Sequence, residues 1–98
     1  MPIIVLRREA RRDLNGVDEF SRERFGNLVA DEYMAEIDAG LARLSVHPEI
    51  GSAVAFGRVP MRSLKVGSHR LFYYFDGNRV IVVRVLHQSM NAERHLKS

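Results

Sequence analysis

The sequence contains no cysteine and no tryptophan, and only three prolines in 98 residues. Without cysteine there is no disulfide framework and no thiolate zinc or iron–sulfur site. No apolar run approaches membrane-spanning length. The opening residues, MPIIVLRREARR, place their charge after a very short apolar run, the reverse of a secretory signal. These absences favour a cytoplasmic protein. Glycine-rich phosphate loops are missing as well, because Gly67 and Gly77 stand alone between strand patterns. The four histidines, His47, His69, His87 and His95, follow no common zinc spacing, and no nearby acid completes a ligand set. Neither a metal nor a cofactor is expected.

What is present suffices for one small domain, expected over residues 1–98. A core built from so little chain is thin, and burial against a partner would add stability. The formal net charge is +3, with acids scattered among the bases. That excess allows approach to a nucleic acid, the ribosome or an acidic protein.

Ile3-Ile4-Val5-Leu6 is a short, continuous apolar run rich in β-branched residues and reads as a buried strand after Pro2. From Arg8 to Phe25 the spacing becomes helical. Ala10, Leu14, Val17, Ser21 and Leu28 form one stripe, with Phe20 and Phe25 on its flanks and Arg8 and Arg12 opposite. Gly26 suits the end of this helix, and Asn27 the N-cap of the next, with Asp31 and Glu32 in its first turn. The second helix shows Ala30, Tyr33, Met34, Ile37, Leu41 and Leu44 on one face and ends at His47-Pro48. Gly40 inside it predicts a close packing contact. The short link predicts an antiparallel helical hairpin.

Residues 49–60 lack a clear period and read as a loop with an irregular edge segment. Met61 to Val66, His69 to Asp76 and Arg79 to His87 are strand patterns separated by Gly67-Ser68 and Gly77-Asn78. Simple alternation puts Leu71, Tyr73 and Phe75 with Val80, Val82, Arg84 and Leu86 on one face. Arg70, Phe72, Tyr74, Ile81, Val83 and Val85 fall on the other. Both faces are apolar, and a helical hairpin covers only one. The second calls for the C-terminal segment, a second protomer or a partner. Asn91 to Leu96 reads as a single helical turn capped by Asn91, with Arg94 and His95 near the end of the sheet. The fold class is α+β: an N-terminal strand, an antiparallel two-helix hairpin on a small, mainly antiparallel sheet, and a short helical tail.

An RNA-cleaving site needs a base for the 2′-hydroxyl, a cation for the phosphate and an acid for the leaving oxygen. Arg70, His87 and His95 are the residues of the right kind. The aromatic run Phe72-Tyr73-Tyr74-Phe75 could stack bases on an open sheet, but alternation sends some of these rings into the core.

The order of elements and a set of residues along nearly the whole chain resemble the ParE branch of the RelE/ParE toxins of bacterial toxin–antitoxin pairs. The resemblance runs through Ala10, Asp13-Leu14, Gly26, Ala30, Tyr33, Ile37, Leu44, Pro48 and Gly51. It is densest from Arg62-Ser63-Leu64 through Val66-Gly67, His69-Arg70-Leu71-Phe72-Tyr73 and Arg84-Val85-Leu86-His87 to Arg94-His95-Leu96. It implies a ParD-like antitoxin whose C-terminal segment wraps the toxin, and a higher-order toxin–antitoxin hetero-oligomer. It implies DNA gyrase as the target, growth arrest as the outcome, and no direct sequence-specific DNA binding. No catalytic residue is then favoured. Antitoxin or target contacts are expected from Arg8, Arg12, Phe20, Arg70, Arg84, His87, Met90, Arg94 and His95. The alternative is the RelE branch, which cuts messenger RNA on the ribosome and would use Arg70, His87 and His95. Against it, Ser89 stands where that branch has a tail arginine, and Lys65 is not part of a lysine cluster.

Overall fold

A computed structural model describes residues 2–57 and 59–96; Met1, Lys97 and Ser98 of the expected domain, and Arg58 of the expected loop, lie outside them. The chain runs β1 (Ile3–Leu6), α1 (Arg8–Phe25), α2 (Asn27–Val46), β2 (Ser52–Ala53), β3 (Arg62–Val66), β4 (His69–Asp76), β5 (Arg79–His87) and α3 (Ala92–Leu96). The five strands form one sheet in the order β1-β5-β4-β3-β2, antiparallel except for the β1–β5 pair.

The parallel pair places β1 at an edge. Ile3 is 61% exposed, and the rest of the strand is only half-buried, so the expected buried strand is an edge strand. A four-residue apolar run rich in β-branched residues fits either position by composition. The sheet order, invisible in one segment, decides between them.

The hairpin turns on Gly26, whose φ of 90° lies in the left-handed region that favours glycine. Gly26 serves as both the last cap of α1 and the first cap of α2. Asn27 is therefore already inside α2 and not its N-cap, and Asp31 and Glu32 lie beyond the first turn. The Asn27 side chain instead accepts from Arg22 Nη1 at 3.3 Å, and Arg22 also reaches Asp18 at 2.9 Å and Asp31 at 2.6 Å. One guanidinium thus ties the two helices across the turn. Leu28, expected in the α1 stripe, is 73% exposed because it follows the turn and sits on α2.

The core lies between the hairpin and the sheet. Ala10 of α1 and Ile37 and Leu44 of α2 pack with Leu71, Tyr73, Val80, Val82 and Val85. A fully buried side chain of the leucine or isoleucine class contributes about 2 kcal/mol. Gly40 lets α2 approach the sheet: a Cβ there would lie 2.7 Å from Val66 Cγ2. Tyr73 crosses the core to its far edge, where its hydroxyl donates to Pro48 O (2.7 Å) and accepts from Gly51 N–H (2.9 Å). These bonds pin the loop after α2. Tyr73→Phe would leave both backbone groups unpaired and is expected to cost about 2 kcal/mol in urea unfolding. A loss under about 0.5 kcal/mol would mean that water replaces the hydroxyl.

The alternation expected across β4 and β5 holds up to Arg84 and then breaks. Tyr73 pairs with Val82 but Phe72 with Arg84, so Val83 is an extra residue and β5 bulges. Arg84 and Val85 both reach the helix side, and Leu86 turns away. Val85 therefore packs under the helices, while Leu86 joins the opposite face, the reverse of the expected assignment. That second face holds Phe72, Leu86 and Met61, covered by Val54 and Phe56 of the long loop and by Ala92 and Leu96 of α3. Of the three covers the sequence leaves open, the C-terminal segment is present here, assisted by the loop. Asn91 caps α3 as expected, its Oδ1 accepting from Arg94 N–H at 3.2 Å.

Candidate functional site

Beside the bulge, α1, the start of α2 and the end of the sheet enclose an open groove of about 700 Å³. Its walls are Phe20, Phe25, Val29, Val17, Val85 and Met90. Phe20, Phe25, Val29 and Met90 are 58%, 60%, 45% and 47% exposed, an unusual amount of apolar surface to gather at one place on so small a chain. Arg24 holds its guanidinium 5.8 Å above the Phe20 ring.

The polar floor is ordered. Asp13 Oδ2 accepts from Arg84 Nε at 2.7 Å and from Val85 N–H at 2.9 Å, and Oδ1 accepts from Arg84 Nη2 at 3.0 Å. The carboxylate thus clamps the bulge to α1. Its hydrogen bond, and then its charge, raise the Arg84 pKa above the ordinary value against the opposing effect of burial.

Next to this pair, His69 of β4 and His87 of β5 face each other as cross-strand partners, edge to face with ring centroids 5.2 Å apart. Ser89 N–H donates to His87 Nδ1 at 3.1 Å, so that nitrogen accepts and the neutral ring carries its proton on Nε2. The Tyr33 hydroxyl accepts from Ser68 N–H at 3.0 Å and lies 2.6 Å from His69 Nδ1. The hydroxyl has one proton; assigning it to this shortest contact, and not to Val66 O at 3.3 Å, leaves His69 protonated on Nε2 as well. Gly67 makes room for Tyr33: its φ is 57°, and a Cβ there would fall 2.6 Å from the tyrosine ring.

Burial lowers the His69 pKa below its ordinary 6.5, His87 lowers it further, and Asp13 opposes both. The unfolded chain therefore binds a proton on this histidine more readily than the folded one. Stability from this source is fully present above about pH 6.5 and is lost as the pH falls below it toward the depressed value. His69→Gln is expected to flatten the slope of unfolding free energy between about pH 5 and pH 6.5, read by urea titration. An unchanged slope would place the titration elsewhere.

Four of the nine expected contact residues, Arg12, Phe20, His87 and Met90, meet in this groove. Arg84 borders it but is committed to Asp13 within the chain. Arg8 is exposed at the start of α1, and Arg94 and His95 are exposed on α3. Arg70 donates to Ser63 Oγ at 3.1 Å and pairs with Leu86, on the face away from the helices. The sheet therefore separates Arg70 from His87, and the trio considered for RNA cleavage is not assembled around one point. Among the described residues, no group of three potential metal ligands occurs. No helix of the described residues is long and apolar enough to cross a membrane.

Asp13, Tyr33 and His69 were not singled out as site residues from the sequence. Tyr33 reads as an ordinary core position, and Asp13 enters only among the residues that carry the family resemblance. Pairing His69 with His87 depends on the bulge, because an unbroken register from Gly77-Asn78 would set His69 against Leu86.

Known proteins share this architecture and sequence. In the P. aeruginosa structure described as a chromosomal ParDE TA system, one chain superposes with a TM-score of 0.76 at 16% identity, over 89% of this chain and 96% of that one, a likeness of fold. Toxin ParE1 of Caulobacter vibrioides is 40% identical over 91 residues, 93% of this chain and 94% of its own. Toxin ParE1 of Mycobacterium tuberculosis is 38% identical over 88 residues, 89% and 90% of the two chains. The family described as the ParE toxin of the type II toxin–antitoxin system parDE matches residues 4–92. With the helical hairpin and the groove within that span, the chain belongs to the ParE toxin family and is the toxin component of a type II toxin–antitoxin module, parDE, which implies a ParD antitoxin as its partner.

Proposed function

We propose that this toxin acts by contact on DNA gyrase in the cytoplasm, and that its ParD antitoxin neutralises it by seating an apolar segment in the groove beside the bulge. The observation that carries this reading is the concentration of exposed Phe20, Phe25, Val29 and Met90 around one concavity. Such a surface gains free energy by excluding water against a matching face, and aromatic anchors in a pocket dominate binding energy. The separation of Arg70 from His87 by the sheet supports binding over RNA cleavage as the mode of action. Membership of the ParE family supports gyrase as the target. The basic excess suits a target that works on DNA, through general attraction to phosphate and not by reading a sequence.

The direct test is purified toxin added to a gyrase supercoiling reaction and, in parallel, to translating ribosomes. Supercoiling should stop at micromolar toxin and recover when antitoxin is added in excess, while ribosome-bound messenger RNA stays intact. Intact supercoiling together with cut messenger RNA would replace this reading with the ribonuclease one.

A further inference from the structure

The groove is apolar at its rim but not at its floor, and the floor has a definite charge. Among the described residues its one carboxylate is Asp13, which already accepts three hydrogen bonds from Arg84 and Val85 N–H and whose charge Arg84 offsets. Arg12 lines the same groove and forms no ion pair among the described residues. His69 and His87 have their Nδ1 atoms engaged by Tyr33 and Ser89. With the Tyr33 proton assigned to His69 Nδ1, each ring is left with one N–H, on Nε2, for which the described residues supply no acceptor.

A wholly apolar occupant would strip water from these two N–H groups and return nothing, which is costly in a closed site. The occupant must bring an acceptor. An uncancelled arginine, two adjacent N–H donors and no free acid together favour an anionic one. We infer that the ParD segment filling this groove presents an aspartate or glutamate side chain to His69 and His87, and that the complex takes up a proton as it forms. This rests on the groove being the antitoxin site, and it specifies the chemistry of what enters.

Around the histidines, Tyr33 from α2 bonds His69, Arg12 and Asp13 from α1 line the same groove, and Arg84 from β5 is held by Asp13; Ser68 and Ser89 are neutral. In the free toxin, burial first and then the neighbouring His87 lower the pKa of His69, with Asp13 opposing them. A carboxylate from the partner reverses that balance and favours the imidazolium. Because the rings are adjacent, the first proton opposes a second, and the pair takes up one.

The experiment uses full-length toxin and full-length antitoxin, titrated calorimetrically at about pH 6 and about pH 8 in two buffers of different ionisation enthalpy, conditions that bracket histidine titration. The expected result is uptake of close to one proton and a Kd about tenfold tighter at the lower pH. Proton NMR of the wild-type histidine rings should show a pKa that rises from free toxin to complex, a readout that does not depend on any variant folding. His69→Gln with His87→Gln should remove the pH dependence. A Kd that is flat or tighter at high pH, or a histidine pKa that falls on binding, overturns the inference. Phe20→Asp separates the two levels. If it abolishes binding while the wild type shows no proton uptake, the groove reading survives and the carboxylate does not. If Phe20→Asp binds like the wild type, the groove reading fails and takes this inference with it.

Discussion

Asp13→Ala is expected to lower the free energy of unfolding by about 3 kcal/mol. The carboxylate accepts three hydrogen bonds at 2.7 to 3.0 Å, two from Arg84 and one from the backbone of Val85. The side chains of Asp13 and Arg84 are only 15% and 23% exposed, so the pair is screened far less than a surface salt bridge. Removing the acid leaves a half-buried guanidinium without its counter-charge and an amide without its acceptor. It also releases the bulge, whose geometry holds Val85 in the core and turns Leu86 to the other face. For a domain of this size the loss is a large part of the total, since small proteins are stable by about 5–15 kcal/mol.

Two controls give this prediction its meaning. Asp13→Asn keeps the shape and one acceptor oxygen, and should recover part of the loss. Asp13→Ala with Arg84→Met removes both charges together and should be less damaging than Asp13→Ala alone, because the orphaned charge is gone. The measurement is the urea midpoint at unchanged m-value, with far-UV circular dichroism to confirm the fold. A loss below about 1 kcal/mol would mean that the bulge is set by the strands themselves and that Asp13 only decorates it.

The same bulge marks where the sequence stopped being legible. Helix and strand positions followed from periodicity and turn residues: α1, β4 and β5 fall on the ranges that the pattern gives. Glycine at 26 and 67 and the Gly77-Asn78 turn were readable because left-handed backbone leaves few residue choices. The face assignments were readable only while the two-residue period held. An extra residue in β5 carries no mark of its own, since Val83 is as good a strand residue as its neighbours. One slip moved Val85, Leu86 and His87 together. Arg84 shows the complementary difficulty. An arginine near the end of a strand looks like a contact residue until its partner, 71 positions away on a helix, is known. The groove was partly legible, because Phe20 and Met90 are apolar residues that the local pattern does not bury. The His69–His87 pair was not, because its assembly needs the register.

Phe20→Asp is expected to weaken the toxin–antitoxin complex by about a hundredfold while leaving stability within about 0.5 kcal/mol. Phe20 is 58% exposed in the free chain, so folding gains little from its ring and loses little without it. In the proposed docking groove, the same ring is an anchor that a partner would bury completely. Truncating a buried aromatic anchor costs about 2 kcal/mol or more, and placing a carboxylate there adds a desolvation penalty; a hundredfold change in Kd corresponds to about 2.7 kcal/mol. The sign of the new charge matters too. An aspartate at the rim would repel an acidic partner and draw Arg24 away from the groove wall. Leu28→Asp is the matched control. Leu28 is 73% exposed and is not part of the groove lining, so the same kind of substitution should leave Kd within about twofold, the range of an uncoupled surface change. Equal losses from the two variants would point to a general effect of negative charge on a basic toxin. A large loss from Phe20→Asp alone would locate antitoxin binding in the groove, since the two variants have the same net charge and differ in where they place it.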